Sequence, residues 1–253
     1  MKIYRKLKSV FDQKLLAKQL KITNLNYYFD QDFFKNKVFK KPWGYEFLIF
    51  SNDFVSIIIL FLNSYGSTSF HCHPRKKTSI TVLKGKIQID LTNKSHILYK
   101  NSSMDLGKNI FHKSSNLSKN NCILMEIETP TLKEDLLRYK DSYRRSISGY
   151  DLYNFDKLEK KTLNKIGIYK INDKKFKLNE SLTLEYLNIR NIEEYYSIKK
   201  RYSDKKTMLM PINKGKKIDN SKTLFSLNKI TDIKMKSLMI KENIFLIIGK
   251  EKT

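Results

Sequence analysis

The sequence predicts an all-β fold, a barrel or sandwich of short strands with an N-terminal helical arm and a smaller C-terminal β-rich domain. From residue 41 onward, short runs rich in Ile, Val, Leu, Tyr and Phe follow one another closely. Turn-forming segments such as Ser51-Asn52-Asp53 and Lys84-Gly85-Lys86 separate them. Many short strands at close spacing are typical of sandwiches and barrels. We therefore expect an arm over residues 1–40, a barrel over 41–155 and a second domain over 156–253.

The arm begins with a predicted amphipathic helix over residues 2–22. Lysines occupy one face, and the other face carries apolar residues near helical spacing: Val10, Phe11, Leu15, Leu16 and Leu20. A basic amphipathic helix can lie on a membrane or a partner, but docking on its own domain is the commoner arrangement. Residues 24–40 are aromatic and irregular in pattern, and we expect them to pack as an arm.

Six β-type runs are predicted in the barrel domain: Tyr45–Phe50, Phe54–Leu62, Ser79–Leu83, Lys86–Leu91, His96–Tyr99 and Cys122–Ile127. Thr129-Pro130 ends this block, because proline cannot donate a ladder hydrogen bond. Residues 132–145 are predicted to be helical or irregular.

The C-terminal domain is also β-leaning. Its predicted strands are Leu182–Ile189, Met208–Pro211, Thr223–Leu227, Ile233–Ile240 and Asn243–Ile248, and Asn191–Arg201 is predicted to be a short helix. A degenerate duplication of the barrel is left open by the two β-rich halves, although no fixed-period repeat is present. No function can be inferred from this domain, which contains neither His nor Cys.

Length and composition exclude several classes of protein. The 253 residues are 40% hydrophobic, which suffices for a packed core. The longest apolar run, Val55–Leu62, is too short to span a bilayer, and no secretory signal opens the chain. Two cysteines, Cys72 and Cys122, cannot form a disulfide framework. We therefore expect a cytoplasmic protein without a membrane partner.

The net charge of +25 does not by itself indicate nucleic acid binding. Lysine supplies most of it, whereas base readout and bidentate phosphate binding favour arginine, of which the chain has seven. The lysines are spread along the whole chain without a basic stripe, which is typical of a compositionally biased genome. We expect anionic small molecules rather than nucleic acid as ligands.

One group of histidines carries the chemistry. In His71-Cys72-His73, an extended backbone places both imidazoles on one face and the thiol on the other. His112 comes about forty residues later, and Asn116 lies four positions beyond it.

This spacing resembles the two motifs of the cupin family. His71, His73 and Gly85 match the first motif, in which Thr78 stands where a Glu is usual, and His112 with Asn116 matches the end of the second. The resemblance implies a jelly-roll barrel in which His71, His73 and His112 hold a divalent metal, Zn, Fe, Mn or Ni. A metal-free barrel with hydrogen-bonded histidines is the alternative. The missing Glu removes a charged ligand and a candidate proton carrier.

A narrower resemblance lies in the flanking segments. Lys41-Pro42-Trp43-Gly44-Tyr45-Glu46 is similar to the segment that opens the cupin domain of type II mannose-6-phosphate isomerases, and residues 127–145 are similar to the tail of related sugar-processing cupins. Ser69 stands where those isomerases place a Gln. The resemblance implies a sugar-phosphate or sugar-nucleotide enzyme, whose metal would polarise a carbonyl, and a homodimer. The alternatives are a non-catalytic sugar-binding cupin and a metal-independent epimerase that uses His as base and Tyr as acid.

Several further residues are candidates for a role in the site. Arg75 and Lys77 can grip a sugar phosphate, although a solvated basic loop is equally compatible with their pattern. Glu126 and Glu128 share a strand face; we expect solvent exposure or ion pairing, with a replacement carboxylate as the alternative. We expect structural roles for three other residues: His96 as a surface or satisfied histidine, Cys72 packed outside the barrel and Trp43 as a core anchor.

Overall fold

The structure, a computed structural model, divides the chain into two compact units, Met1–Lys157 and Leu158–Thr253. It describes residues 3–6, 8–21, 31–51, 55–147, 154–165, 168–172, 174–179, 182–202, 207–212, 225–226 and 244–249. The predicted strand Ile233–Ile240 and residues 24–30 of the aromatic segment 24–40 lie outside these residues.

The first unit is built almost entirely from β-strands. In chain order its elements are β1 (Ile3–Lys6), α1 (Val10–Leu20), a 3₁₀ turn (Gln31–Phe34), β2 (Lys37–Lys41), β3 (Gly44–Ser51), β4 (Ser56–Leu62), β5 (Phe70–Cys72), β6 (Lys77–Lys84), β7 (Lys86–Leu91), β8 (Ser95–Tyr99), β9 (Ser103–Leu106), β10 (His112–Asn116), β11 (Cys122–Thr129), β12 (Leu137–Lys140) and β13 (Phe155–Lys157).

These strands form the two sheets of a β-barrel. One sheet has eight strands in the order β1-β9-β6-β11-β4-β3-β2-β13, and the other has five in the order β12-β5-β10-β7-β8. The inner faces of both sheets meet in one apolar core, with Ile58, Ile80 and Leu124 from the larger sheet and Ile87 and Leu98 from the smaller. The predicted all-β barrel is therefore confirmed.

All six β-type runs predicted for the barrel are strands, with ends shifted by up to two residues. Trp43 is buried in the core, as expected for an anchor. The short strands β5 and β10 were not predicted. For β10 the reason is its sequence, His-Lys-Ser-Ser-Asn, which lacks an apolar run. Its strand conformation depends on pairing with β7 over five residue pairs.

Two predictions in the first unit need correction. The N-terminal helix does not span residues 2–22: Ile3–Lys6 instead forms a strand parallel to β9, and the helix covers Val10–Leu20. The segment 132–145 is not free of regular structure, since Leu137–Lys140 pairs with β5. None of the helices in the described ranges is long and apolar enough to cross a membrane.

The start of α1 is fixed by a capping box that also docks the helix on the barrel. The Ser9 hydroxyl accepts from the Asp12 N–H (3.1 Å), and the Asp12 carboxylate accepts from the Ser9 N–H (2.9 Å). The same carboxylate accepts from the backbone N–H of Phe111 (3.1 Å) and from the Thr92 hydroxyl (3.3 Å). Asp12 is buried, so one side chain both begins the helix and ties it to the residue before β10.

Two motif residues have structural roles. Gly85 joins β6 to β7 with φ +87°, and a β-carbon there would collide with the Cys122 sulfur. The Asn116 amide donates to the carbonyls of Asn63 (2.8 Å) and Asn120 (2.8 Å), and its oxygen accepts from the Ser118 N–H (3.0 Å). Both residues therefore fix loops of the barrel.

The second unit has a different architecture in its described residues. Its elements are α2 (Lys160–Lys165), β14 (Tyr169–Asn172), β15 (Lys175–Asn179), β16 (Leu182–Asn188), α3 (Ile192–Arg201), β17 (Met208–Ile212), β18 (Phe225–Ser226) and β19 (Ile244–Gly249). The six strands form one sheet, in the order β14-β15-β16-β19-β17-β18. The predicted helix is confirmed as α3, which packs Tyr195 and Ile198 against Leu209 and Ile247.

Replacing Asp12 tests how α1 is attached. We expect Asp12→Ala to lower the free energy of unfolding of the first unit by about 2–4 kcal/mol, because it removes a cap and leaves the buried Phe111 N–H without its acceptor. Urea unfolding followed by the fluorescence of Trp43, the only tryptophan, reports on this unit. Lys14→Ala, on the exposed face of α1, is the control. Unchanged unfolding of Asp12→Ala would contradict the docking described here.

Candidate metal centre

Two neighbouring strands bring the three motif histidines together. His71 in β5 and His112 at the start of β10 are direct antiparallel partners. His73 follows β5 two residues after His71, and the extended backbone turns both imidazoles to the inside. Cys72 points the other way, into a separate apolar cluster with Phe111.

The three imidazoles form a small triangle. Ring centroids are 4.5 Å apart for His71 and His112, 4.9 Å for His71 and His73, and 5.4 Å for His73 and His112. One ligand atom of each histidine lies within 4.8 Å of those of the other two. All three side chains are buried. The convergence that the resemblance implied is therefore present in the structure.

Each imidazole is held from behind by a backbone carbonyl. The Nδ1 atom lies 2.8 Å from the Ser69 oxygen for His71, 2.6 Å from the Asp135 oxygen for His73 and 3.0 Å from the Ile110 oxygen for His112. Because a carbonyl can only accept, each Nδ1 carries the proton and each Nε2 keeps its lone pair.

The environment keeps these rings neutral. Burial lowers the pKa of His71 and His73 well below the usual value and lowers the pKa of His112 to about 4. In addition, the Nε2 atom of His112 is buried without a hydrogen-bond partner. A neutral imidazole with an unused, inward-facing lone pair is the form that ligates a metal, so the three residues fit a divalent ion.

Thr78 does not replace the missing carboxylate. It is buried on the face of β6 that Ile80 continues into the core, and its hydroxyl has no hydrogen-bond partner. It does not line the cavity that His71 and His73 line. The three candidate ligands are neutral imidazole nitrogens, the donor type that suits Zn, Fe and Ni.

His71 and His73 line a small charged cavity of about 50 Å³. Its lining includes five cationic side chains, Lys41, Lys76, Lys133, Arg138 and Arg145, and three carboxylates, Glu46, Glu126 and Glu128. Lys76 and Glu128 form an ion pair of 2.7 Å with both side chains buried, and Lys133 lies 3.1 Å from Glu46. The interior of the barrel is thus apolar at one end and ionic at the histidine end.

The two strand-face glutamates differ in their electrostatics. The Lys76 ammonium, with Lys133, outweighs desolvation and holds the pKa of Glu128 below its usual value. For Glu126, burial and the neighbouring charge of Glu128 raise the pKa to about 7. Of the two outcomes expected for Glu128, solvent exposure or ion pairing, the structure shows ion pairing, with the side chain buried.

The three residues of the basic loop, Arg75-Lys76-Lys77, differ in their exposure to solvent. Arg75 and Lys77 are exposed and do not line the cavity, whereas Lys76 between them is buried and reaches Glu128. Asp135 fixes this loop, because its carboxylate accepts from the N–H groups of Arg75 (2.8 Å) and Lys76 (2.9 Å). Substrate binding by Arg75 and Lys77 stays a prediction.

Sequence reasoning missed Asp135 and Arg138 as residues of this region, and it gave Lys76 no role different from that of Arg75 and Lys77. Arg138 is the cross-strand partner of His71, and its guanidinium donates to the Ser146 carbonyl (2.8 Å). The available signal was the alternation of an extended chain, which turns Lys76 to the side opposite its neighbours. Pro74 interrupts that alternation between His73 and the loop, so the side that each loop residue faces could not be predicted from the histidines.

Of the remaining candidates, Cys72 has the structural role expected of it. Burial raises the pKa of its thiol, so this residue is packed and unreactive. His96 is not the surface or satisfied histidine that was expected, because it is half-buried and its Nε2 atom is buried without a hydrogen-bond partner. Its ring lies 5.6 Å from the Tyr4 ring and outside the histidine trio.

Comparisons with known proteins give matches among solved structures only. No family model and no curated protein matches the chain. KdgF from Halomonas sp. is 12% identical (TM-score 0.35), and the match covers 36% of this chain and 83% of KdgF. The capsular polysaccharide assembling protein CapF from Staphylococcus aureus is 14% identical (TM-score 0.38; 41% and 34% covered). An RmlC-like cupin from Shewanella frigidimarina is 12% identical (TM-score 0.35; 42% and 92% covered). The fold assignment rests on the strand pairing above.

Removing one histidine tests the metal centre. We expect His112→Ala to weaken Zn²⁺ binding at least about 100-fold, because two neutral nitrogens replace three. His96→Ala, which removes the histidine outside the trio, is the matched control and should bind like the wild type. Calorimetric titration of the metal-free protein measures both. Equal affinity of the two variants would exclude the trio as the site.

The buried ion pair gives a second prediction. We expect Lys76→Met to lower the free energy of unfolding by about 3–5 kcal/mol, because it leaves the Glu128 charge buried without its partner. The double variant Lys76→Met/Glu128→Leu should recover most of that loss, since no charge then remains unpaired. Urea unfolding of the two variants measures the difference. A double variant as unstable as the single one would show that the pair is not the cause.

Proposed function

We propose that this chain is a metal-dependent cupin enzyme of sugar metabolism, which interconverts an aldose phosphate and a ketose phosphate as mannose-6-phosphate isomerases do. The observation that carries the proposal is the orientation of His71, His73 and His112. Each has its Nδ1 held by a carbonyl and its Nε2 available toward a shared point beside a charged cavity. The metal is Zn, Fe, Mn or Ni, bound by these three residues.

A divalent ion bound there would polarise a substrate carbonyl and stabilise the negative charge that develops on its oxygen. The protein supplies the remaining requirements from the cavity wall. Lys76 and Lys133 contribute positive charge to this wall, and a carboxyl group on β11 can exchange protons with the substrate.

The small volume of the cavity favours entry of only the reacting end of a sugar. About 50 Å³ accommodates a carbonyl carbon and its neighbours, so a phosphate would remain outside. Arg75 and Lys77 are exposed on either side of the cavity residue Lys76, and we propose that they hold this phosphate. A net charge of +25 favours anionic substrates in general.

The two alternative functions differ in what the cavity must contain. An epimerase without metal needs a tyrosine acid, and no tyrosine lines the cavity among the residues described. A non-catalytic sugar-binding cupin needs neither metal nor proton carrier, so its buried carboxyl groups would serve stability alone.

We propose a cytoplasmic homodimer, and the edge strand β8, with Ile97 and Tyr99 exposed, is available for strand pairing.

Turnover of sugar phosphates tests the proposal. We expect the metal-loaded protein to interconvert mannose 6-phosphate and fructose 6-phosphate, to lose this activity with a chelator and to regain it with one of Zn²⁺, Fe²⁺, Mn²⁺ or Ni²⁺. Proton NMR of the two sugars measures the conversion. His71→Ala should lower kcat/KM at least about 100-fold, with His96→Ala as the control.

Other outcomes decide between the alternatives. Binding of a sugar phosphate without turnover, in protein shown to contain metal, would favour the non-catalytic cupin. Turnover that survives complete metal removal would favour the epimerase-type mechanism. Absence of binding to sugar phosphates and sugar nucleotides would exclude the sugar function.

A further inference from the structure

Three carboxyl groups line the cavity, and two of them are held by partners. Glu128 accepts from the Lys76 ammonium (2.7 Å) and from the Ser56 hydroxyl (3.2 Å). Glu46 lies 3.1 Å from the Lys133 ammonium. Both carboxylates are buried, so protonating either would leave a buried cation without its counter-charge. Neither is suited to exchanging a proton with a substrate.

Glu126 differs from both. Within the part of the chain that the structure describes, its carboxyl group forms no hydrogen bond and no ion pair. It lies on the same inner face of β11 as Glu128 and Leu124, and its cross-strand partners Ile58 and Ile80 belong to the apolar core. It is half-buried and lines the same cavity as His71 and His73, so it combines a partly apolar setting with access to a bound molecule.

We propose that Glu126 is the catalytic proton carrier of the site. In the motif that the sequence resembles, a Glu is the candidate for this role, and Thr78, which stands in its position here, has no carboxyl group. This inference rests on the proposed isomerase function. It selects one carboxyl group from the three in the cavity because Glu126 alone is not committed to a cation.

The reaction requires no co-reactant. The Glu126 carboxylate removes the proton from the substrate carbon next to the carbonyl, and the electron pair of that C–H bond forms a carbon–carbon double bond. The carbonyl π pair moves to its oxygen, which takes the proton of the neighbouring hydroxyl. The second carbonyl then forms at that neighbouring carbon, and the former carbonyl carbon receives the proton from the Glu126 carboxyl group. Glu126 ends as it began.

The charges that face Glu126 agree with this role. Glu128 on its own strand and Glu46 on β3 oppose its ionisation, whereas Lys133 and Lys76 favour it. Burial and the two carboxylates outweigh the lysines and raise the pKa of Glu126 to about 7, so near neutral pH the group can both accept and return a proton. The histidines that share the cavity are held neutral and add no charge.

Hydrogen exchange into solvent tests the inference on the metal-loaded full chain. In D₂O, we expect the wild type to incorporate deuterium into mannose 6-phosphate and Glu126→Gln to do so at least about 100-fold more slowly. Glu126→Asp, which keeps the carboxyl group, should lose only about tenfold. Metal content and melting temperature of both variants should match those of the wild type. Glu193→Gln, an exposed glutamate of α3, is the matched control for charge removal.

A second measurement is independent of the substrate. Carbon NMR of protein labelled at the glutamate carboxyl carbon should show one signal that titrates near neutral pH and disappears in Glu126→Gln. Exchange by Glu126→Gln within threefold of the wild type, in folded metal-loaded protein, would overturn the inference. If the wild type itself catalyses no exchange, the isomerase proposal fails. The titration then decides about Glu126: a midpoint near neutral supports a proton carrier, and a midpoint in the ordinary carboxyl range overturns it.

Discussion

Three imidazoles bind one ion more tightly when each ring is already oriented toward it, and backbone carbonyls provide that orientation here. Two of the three are local, because the Ser69 and Ile110 carbonyls lie two residues before His71 and His112. The third comes from the distant Asp135, whose carboxylate also holds the loop that presents Lys76. A single residue between β11 and β12 therefore couples one metal ligand to the ionic part of the cavity.

The buried charges have a cost that a purely structural barrel would not need. Moving Lys76 and Glu128 out of water costs several kcal/mol per ion, and a well-packed apolar pair of the same volume is often as stable or more so. Two such pairs stand at the histidine end of the barrel, while the opposite end is filled with Ile, Leu and Val. Their position beside a metal-competent trio is a reason to interpret them as part of a reactive site.

How much could be predicted depended on whether a residue's signal was local. The strands with apolar runs and the His71-Cys72-His73 alternation follow from period-two patterns, and these were correct. β10 carries no such pattern, and only pairing with β7 makes it a strand. Glu128 was expected to be solvent-exposed or ion-paired, because a glutamate is seldom buried without a partner, and its partner Lys76 lies 52 residues away. Nothing local to either residue announces that pair.

Thr78 stands where the resembled motif has a glutamate, and the residue paired with it across the sheet gives a physical reason for a neutral side chain there. Thr78 and Glu128 are direct cross-strand partners, whose β-carbons lie about 4.5–5.5 Å apart in such a pair. Carboxylates at both positions would therefore repel each other in a buried setting. Lys76 neutralises one such charge, which leaves room for one carboxylate at this pair of positions. In this chain it stands on β11. The next inward position of that strand carries Glu126, the carboxyl group that no cation holds. Thr78 on β6 and the two carboxyl groups on β11 are therefore compatible features of one region, in which β11 carries the negative charge.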